Sequence, residues 1–211
     1  MDIDIHTIGE EVPLLEGIRT ARAIRRFKPD PVPNALIQKV AEAGTFAPSG
    51  GNRQPWIFIA VTDADRRHKI AEYYRSAFDG YIAPALEAAA RPDFSDSKRK
   101  AMNGAIDLAQ HLDDVPVHFF VAGWTRRSGE QPQSIFPAVQ NILLACRAVG
   151  LGACLTTLHR AYGEQIDGLL GLSDKQRSYA LIPIGWPRGQ YTKPLRRPVD
   201  ECLFFERYSG A

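Results

Sequence analysis

The sequence has little of several features that would place it in a function class at once. Its 211 residues include only three cysteines: Cys146, Cys154 and Cys202. This number is odd and too small for the disulfide framework of a secreted domain, and no CxxC pair suggests a metal site. No run of about 18 apolar residues could span a membrane, and the acidic start MDIDIHTIGE does not resemble a signal peptide. We therefore expect a cytoplasmic protein with no metal and no membrane partner.

An excess of charge of one sign is also missing. Lys and Arg number 26 and Asp and Glu 24, which gives a net charge of +2. This balance, without a basic tract of five or more residues, argues against a nucleic-acid partner. The chain has no GxSxG nucleophile elbow and no P-loop. Its segment GLGACL follows a helical pattern instead of a strand, so it does not fit the dinucleotide-binding fingerprint either.

The sequence does contain a series of helix and strand patterns without strict βαβ alternation. Apolar spacing and capping residues predict helices over 14–23, 33–47, 63–78, 99–114, 135–149 and 164–172. Aromatic and β-branched runs predict buried strands over 56–62, 115–124 and 178–186. The polar stretch 91–100 is predicted to be a surface loop. This order favours an α+β fold around a small sheet, and the length fits one domain.

The helical pattern over 135–149 is apolar nearly all round. An amphipathic surface helix would show a polar face, so this helix is expected to be buried on every side. In a domain of this size, such burial suggests contact with a second subunit.

Two groups of polar residues stand out. In FAPSGGNRQPWIFIAVT, residues 46–62, the side chains of Asn52, Arg53 and Gln54 directly precede a buried strand. They either cap a turn or bind a ligand with many polar groups. Near the end of the chain, Arg196 and Arg197 lie between two prolines. They are either surface residues or a stiffened pair suited to bidentate phosphate binding.

Taken together, five segments resemble the nitroreductase family of FMN-dependent oxidoreductases. They are RAIRRFKPDPVP, APSGGNRQPWIFIAVTD, PAVQNILLACRAVGLGACLTTLH, IPIGWP and RRPVDE, in the family's order. The resemblance implies the α+β nitroreductase fold, with a small mixed sheet packed by helices, in an intertwined homodimer with two FMN molecules at its interface. It also implies one domain over 1–211, in which 78–114 is a variable lid region and 187–211 a C-terminal arm.

The resemblance also implies which residues bind the flavin. The family's Arg-Arg-Ser-x-Arg element falls on residues 21–25, so Ala21 and Ala23 replace its first Arg and its Ser. The implied contacts to the phosphate and the pyrimidine edge come from Arg22, Ala23 and Arg25, with Arg196 and Arg197 returning to the phosphate. The partner subunit supplies contacts to the ring and ribityl chain through Pro48, Ser49, Asn52 and Gln54. Backbone N–H groups of Thr157 and Leu158 lie near flavin N5.

The implied activity is electron transfer from NADH or NADPH through FMN to a small electron-poor acceptor, such as a nitroaromatic or a quinone. Arg25 is the candidate catalytic residue, since a fixed cation would stabilise the negative charge that develops at flavin N1 and O2. Two alternatives stay open. One is a specialised relative: a reductive dehalogenase, a flavin-fragmenting enzyme or an enzyme that uses a deazaflavin. The other is a flavin-binding sensor or carrier without turnover.

Overall fold

The helices and strands follow the sequence patterns closely. The computed structural model describes residues 7–89, 93–125 and 132–208. Within them lie six α-helices: α1 (Leu14–Thr20), α2 (Asn34–Thr45), α3 (Ala64–Ala89), α4 (Asp96–Gln110), α5 (Phe136–Ala148) and α6 (Gly163–Leu169). The strands are β1 (Trp56–Val61), β2 (Val117–Trp124), β3 (Gly152–Ala153) and β4 (Gln176–Gly185). Short 3₁₀ turns occupy Gly50–Asn52, Leu112–Asp114, Pro132–Ser134, Leu158–Tyr162 and Val199–Glu201.

Capping side chains determine where two of the helices begin. The Asp63 carboxylate accepts the N–H of Arg66 at 3.0 Å, as the sequence predicts for the start of α3. The Ser95 hydroxyl accepts the N–H of Lys98 at 3.4 Å and begins α4. α3 runs past its predicted end and through Pro84, and α4 begins inside the predicted surface loop. The described part of the lid region 78–114 is therefore mostly helical.

The four strands form one sheet in the order β1-β2-β4-β3, and every pair is antiparallel. The expected α+β fold is confirmed, but the expectation of a mixed sheet is wrong for the strands described in this chain. Each helical connection between β1, β2 and β4 returns to the end of the sheet that it left, so neighbouring strands run in opposite directions. The sequence patterns predicted three strands, and the short β3 adds the fourth.

Both faces of the sheet are covered by helices. Residues of α2 and α5 pack with Val117, Phe119 and Val121 of β2 in one apolar cluster. Residues of α3, α4 and α6 pack with Phe120 and with Leu181 of β4 in a second cluster. Alternate side chains of one strand thus reach opposite layers. Because both layers are apolar, β2 and β4 are almost entirely buried.

α5 is not buried on every side within the single chain. Its buried residues Ala138, Val139, Ile142 and Cys146 lie on one face, whereas Phe136 keeps 36% of its surface exposed and Gln140 is also exposed. The single chain therefore buries one face of α5, and burial of the rest against a second subunit stays a prediction. The apolar face that remains is available to a second subunit.

Residues 21–28, which carry several of the candidate arginines, lie along the edge of the sheet. The N–H of Ile24 donates to the carbonyl of Ala153 at 3.0 Å, and that of Lys28 donates to the carbonyl of Trp186 at 2.8 Å. The approach is close because residue 152 is a glycine: a Cβ on Gly152 would lie 2.7 Å from Cγ2 of Ile24. Backbone pairing therefore determines where the arginines of this segment lie.

Candidate cofactor site

Two neighbouring cavities lie on either side of Cys154 and Leu155, which line both of them. The first, of about 300 Å³, has Arg22, Arg147 and Arg196 in its wall and is called the arginine cavity below. The second, of about 390 Å³, is lined by Arg25 and by aromatic residues of α3, and is called the aromatic cavity. One cavity is thus suited to an anion and the other to a planar apolar group.

The C-terminal arm covers part of the arginine cavity. Nη1 of Arg22 donates to the hydroxyl of Thr192 at 2.5 Å, and the hydroxyl of Tyr191 donates to the carbonyl of Leu151. The ring of Tyr191 lies under the guanidinium of Arg147, 4.5 Å from its centroid. These contacts bring the arm to the cavity, as expected for a segment that ends at a binding site.

The arginine cavity carries positive charge that no carboxylate offsets. No Asp or Glu belongs to its lining. Among the ion pairs of the described residues, none involves Arg22, Arg147 or Arg196. Three guanidinium groups around one cavity repel one another unless an anion lies between them. The arrangement fits a phosphate or a carboxylate, which guanidinium groups bind through parallel hydrogen bonds.

The aromatic cavity has walls from the lid region and from the chain beyond β3. Phe78 and Tyr81 of α3 face Arg25 and the residues after Cys154. The hydroxyl of Tyr74 lies 3.0 Å from the hydroxyl of Thr156. Burial raises the pKa of Tyr74, so its hydroxyl stays protonated at neutral pH. The cavity therefore offers flat apolar walls with one cation, Arg25, at its edge.

The two backbone donors expected near flavin N5 differ in the structure. The N–H of Leu158 donates to the hydroxyl of Thr156 at 3.3 Å, so this donor is already used inside the chain. The N–H of Thr157 has no acceptor among the described residues. Both residues line the aromatic cavity. The expected contacts to flavin N5 stay a prediction, for which the Thr157 N–H is the donor without an acceptor among the described residues.

Cys154 is the one thiol among the described residues that line the two cavities. Cys154 lies between them and is 2% exposed. Burial raises the pKa of this thiol to about 12, so it is a neutral thiol at physiological pH. Among the described residues, no group of three or more His, Cys, Asp or Glu side chains is placed to hold a metal ion.

The polar loop before β1 has an unusual backbone. Asn52 and Gln54 both have positive φ, 50° and 49°, which is uncommon for residues other than glycine and for Gln especially. The side chain of Gln54 donates to the side-chain oxygen of Asn52 at 3.2 Å. The turn is capped by Ser49, whose hydroxyl accepts the N–H of Gln54 at 3.0 Å. Such strained residues are often found at binding sites, and the choice between turn capping and ligand binding for Asn52 and Gln54 stays a prediction.

The structure brings together some of the predicted site residues and leaves others apart. Arg22, Ala23 and Arg196 line the arginine cavity, and Arg25, Thr157 and Leu158 line the aromatic cavity. The residues outside both linings are Pro48, Ser49, Asn52, Gln54 and Arg197. Four of these five were expected to act in the partner's site, and the single chain does not test that role. Arg197 is exposed and is not placed at either cavity.

The cavity-wall residues that sequence reasoning missed include Tyr74, Arg147 and Tyr191. Arg147 had a signal that could have revealed it, since it is a charged residue in the otherwise apolar segment ILLACRAVGLGACL. The two tyrosines had none, because their roles depend on contacts with distant parts of the chain.

Comparison with known proteins supports the resemblance seen in the motifs. The model of the nitroreductase family matches residues 18–186. Iodotyrosine deiodinase 1 of Rattus norvegicus is 28% identical in an alignment of 199 residues, which covers 89% of this chain and 67% of that protein. An NADH dehydrogenase of Thermus thermophilus is 27% identical over 213 residues, covering 92% and 98% of the two chains.

A solved structure shows the same architecture with a flavin. The Desulfovibrio desulfuricans protein in complex with FMN superimposes with a TM-score of 0.68 at 26% identity, covering 94% of this chain and 99% of that chain. With most of the chain inside the family match, the protein belongs to the nitroreductase family. The predicted family and fold class are confirmed. No described helix is long and apolar enough to cross a membrane.

Proposed function

We propose that this protein is an FMN-dependent oxidoreductase that passes electrons from NADH or NADPH to a small electron-poor acceptor. The observation that carries the proposal is the pairing of the two cavities. The arginine cavity has three guanidinium groups without an ion-pair partner among the described residues, and the neighbouring aromatic cavity has flat walls with Arg25 at its edge. FMN combines a phosphate with a planar ring system, and the related Desulfovibrio desulfuricans protein was crystallised with it.

The residues present fit FMN at both of its ends. Arg22 and Arg196 are the candidates for the phosphate, since neither has an ion-pair partner among the described residues. Arg25 is the candidate for the pyrimidine edge, and the free N–H of Thr157 is the candidate donor to N5. The small side chains of Ala21 and Ala23 leave room beside the arginines.

FMN, when bound, supplies the hydride and electron transfer that no side chain of this cavity can perform. The protein's part is electrostatic. Arg25 places a fixed cation at the edge of the aromatic cavity, where it favours negative charge on a bound ring. Tyr74 and Cys154 stay neutral because burial raises their pKa values. Residues of α3 and α4 form one wall of the aromatic cavity.

The lid region favours an uncharged planar acceptor. Among the described residues, its contributions to the aromatic cavity are Phe78 and Leu108, which are buried, and Tyr81 and Ala105. None of these side chains is charged, so nothing in this wall could pair with a zwitterionic amino acid. This composition supports a nitroaromatic or a quinone over the iodotyrosine that the name of one relative indicates.

We further propose that the site is completed in a homodimer. Large apolar side chains remain exposed on the single chain, among them Leu14, Leu15, Phe46, Leu195 and Phe205. Such a surface is typical of an obligate subunit interface. In the dimer, Asn52 and Gln54 of one protomer would contact the flavin held by the cavities of its partner. Their strained backbone in the single chain supports this role.

Identification of the bound cofactor tests the proposal directly. The purified protein is expected to be yellow and to release FMN, identified by its mass. Under anaerobic conditions NADH or NADPH should bleach the flavin, and a nitroaromatic or a quinone should restore its colour. A colourless protein that takes up no FMN on reconstitution would refute the flavin assignment. A bound flavin that neither nicotinamide reduces would support the sensor or carrier alternative.

A further inference from the structure

We propose that Arg147, on the last turn of α5, binds the anionic end of the cofactor. This inference rests on the proposed function, because the anion is the phosphate of FMN. The family element that the sequence resembles assigns no role to this position. In this chain Arg147 lines the arginine cavity together with Arg22 and Arg196.

Two contacts fix the side chain of Arg147 and leave its two terminal nitrogens, Nη1 and Nη2, available to a ligand. Its Nε donates to the hydroxyl of Thr20 at 2.8 Å, and the guanidinium lies over the ring of Tyr191. The two terminal nitrogens have no acceptor among the described residues. A guanidinium that is already oriented by its Nε and by a stacked ring loses little conformational entropy when Nη1 and Nη2 bind a phosphate.

The charge balance of the cavity points the same way. Arg147 is only partly exposed, and the lining has no carboxylate to neutralise it. A partly buried cation beside two others is unfavourable unless an anion joins them. The lining also includes Ala21 and Ala23, whose short side chains leave space in front of Arg147. Arg147 thus supplies positive charge where residues 21 and 23 carry no polar group.

A structural role must be separated from a binding role. The contacts of Arg147 to Thr20 and Tyr191 join α1, α5 and the arm, so its loss could loosen the whole site. Loosening would weaken the binding of any flavin. A phosphate contact would weaken the binding of FMN only and leave riboflavin, which lacks the phosphate, unaffected. The ratio of the two dissociation constants therefore distinguishes the roles.

The experiment measures FMN and riboflavin affinities by flavin fluorescence with flavin-free protein. For Arg147→Gln we expect the preference for FMN over riboflavin to fall about tenfold or more, the usual effect of losing a hydrogen bond between charged groups. Arg147→Lys should retain part of the preference. Arg19→Gln is the matched control: Arg19 is an exposed arginine of α1 outside the cavity, and its loss should leave the preference unchanged.

A second-site variant gives an independent check. In Ala21→Arg combined with Arg147→Gln, the new guanidinium enters the same cavity and should restore much of the preference. An Arg147→Gln protein with the parent's preference would overturn the inference, even if both affinities fell. If Arg147→Gln does not fold, Arg147→Lys decides in the same way, since an unchanged preference there would also overturn it. A parent that binds both flavins equally would refute this inference together with the phosphate roles of Arg22 and Arg196, whereas a parent that binds neither flavin would refute the proposed function.

Discussion

The hydroxyl of Tyr74 lies 3.0 Å from the hydroxyl of Thr156 and links α3 to the chain just beyond β3. The same Thr156 oxygen accepts the N–H of Leu158. The backbone of Thr156 is paired with Leu181 of β4 in both directions at 2.9 Å. One hydroxyl group thus holds a wall of the aromatic cavity against the sheet.

Tyr74→Phe removes this link and keeps the ring. We expect a loss of about 1 kcal/mol in the free energy of unfolding, the usual contribution of one hydrogen bond. Tyr73→Phe is the control, since Tyr73 lies on the same helix and packs its ring against Tyr162 at 5.3 Å. Urea denaturation of both variants measures the difference. Equal stabilities of the two variants would show that the Tyr74 bond contributes nothing measurable.

Arg25→Ala should slow reduction by NADH or NADPH on the order of 10²-fold, the typical effect of removing one preorganised donor. The reduction potential of bound FMN should also fall, because the cation stabilises the more negative, reduced form. Arg26→Ala is the control. Arg26 pairs with Asp107 of α4 at 3.3 Å on the exposed surface, where such a pair contributes little.

Anaerobic stopped-flow measurements on the parent, Arg25→Ala and Arg26→Ala provide this comparison. Similar rates for all three proteins would leave the electrostatic part of the mechanism without a residue. A slow Arg26→Ala protein would instead indicate that the Asp107 contact positions the lid.

The quaternary structure is the third prediction. We expect a dimer by light scattering at micromolar concentration, because Phe46 is 79% exposed and Leu195 85% exposed in the single chain. Phe46→Asp should shift the protein toward monomer without a large loss of fold, since this side chain is outside the core. FMN affinity should fall with dimer content. A monomeric parent with FMN bound would contradict the shared site.

Two buried histidines predict a loss of stability in acid. Burial lowers the pKa values of His118 and His159 to about 4. Nε2–H of His118 donates to the carbonyl of Leu112 at 2.7 Å, which raises its pKa, but the effect of burial is larger. With unfolded pKa values near 6.5, the unfolded chain binds more protons below that pH. The contribution of the two neutral histidines to the free energy of unfolding is therefore complete above about pH 6.5 and falls as the pH drops toward 4.

At pH 5 we expect the free energy of unfolding to be lower than at pH 7 by about 2 kcal/mol for each histidine. Urea unfolding at pH 7 and pH 5 measures it. His159→Phe should reduce the difference between the two pH values, since this ring packs edge-on against Phe120 in an apolar site. His111→Gln changes an exposed histidine and should leave the difference within about 0.5 kcal/mol. A parent equally stable at both pH values would contradict the prediction.

Local chemistry made some elements predictable. The Asp63 cap and the apolar spacing of α2 depend on residues a few positions apart, so the sequence carries them. The end of α3 was not predicted, because Gly80 and Pro84 are unfavourable in helices. Tertiary packing overrides them: Phe78, Ile82 and Ala89 of this helix are buried.

The candidate site was predictable only in part. The arginines Arg22, Arg25 and Arg196 could be predicted as site residues because the motifs around them resemble those of a known family. The place of Arg147 was not predictable, since it depends on the ring of Tyr191, which reaches it from the arm. The antiparallel order of the strands was missed for a similar reason: pairing between distant segments is not recorded in local patterns.

The glycine at residue 152 has a consequence for how the site responds to fluctuation. Because Ile24 packs directly on it and donates its N–H to Ala153, the arginine-bearing segment has no independent hinge. It separates from the sheet edge only when that edge opens. The amide of Ile24 should therefore exchange with deuterium about as slowly as those of β4, whereas the exposed amides of the arm exchange early. The backbone that bears Arg22 and Arg25 is thus expected to open locally no more often than the core strands.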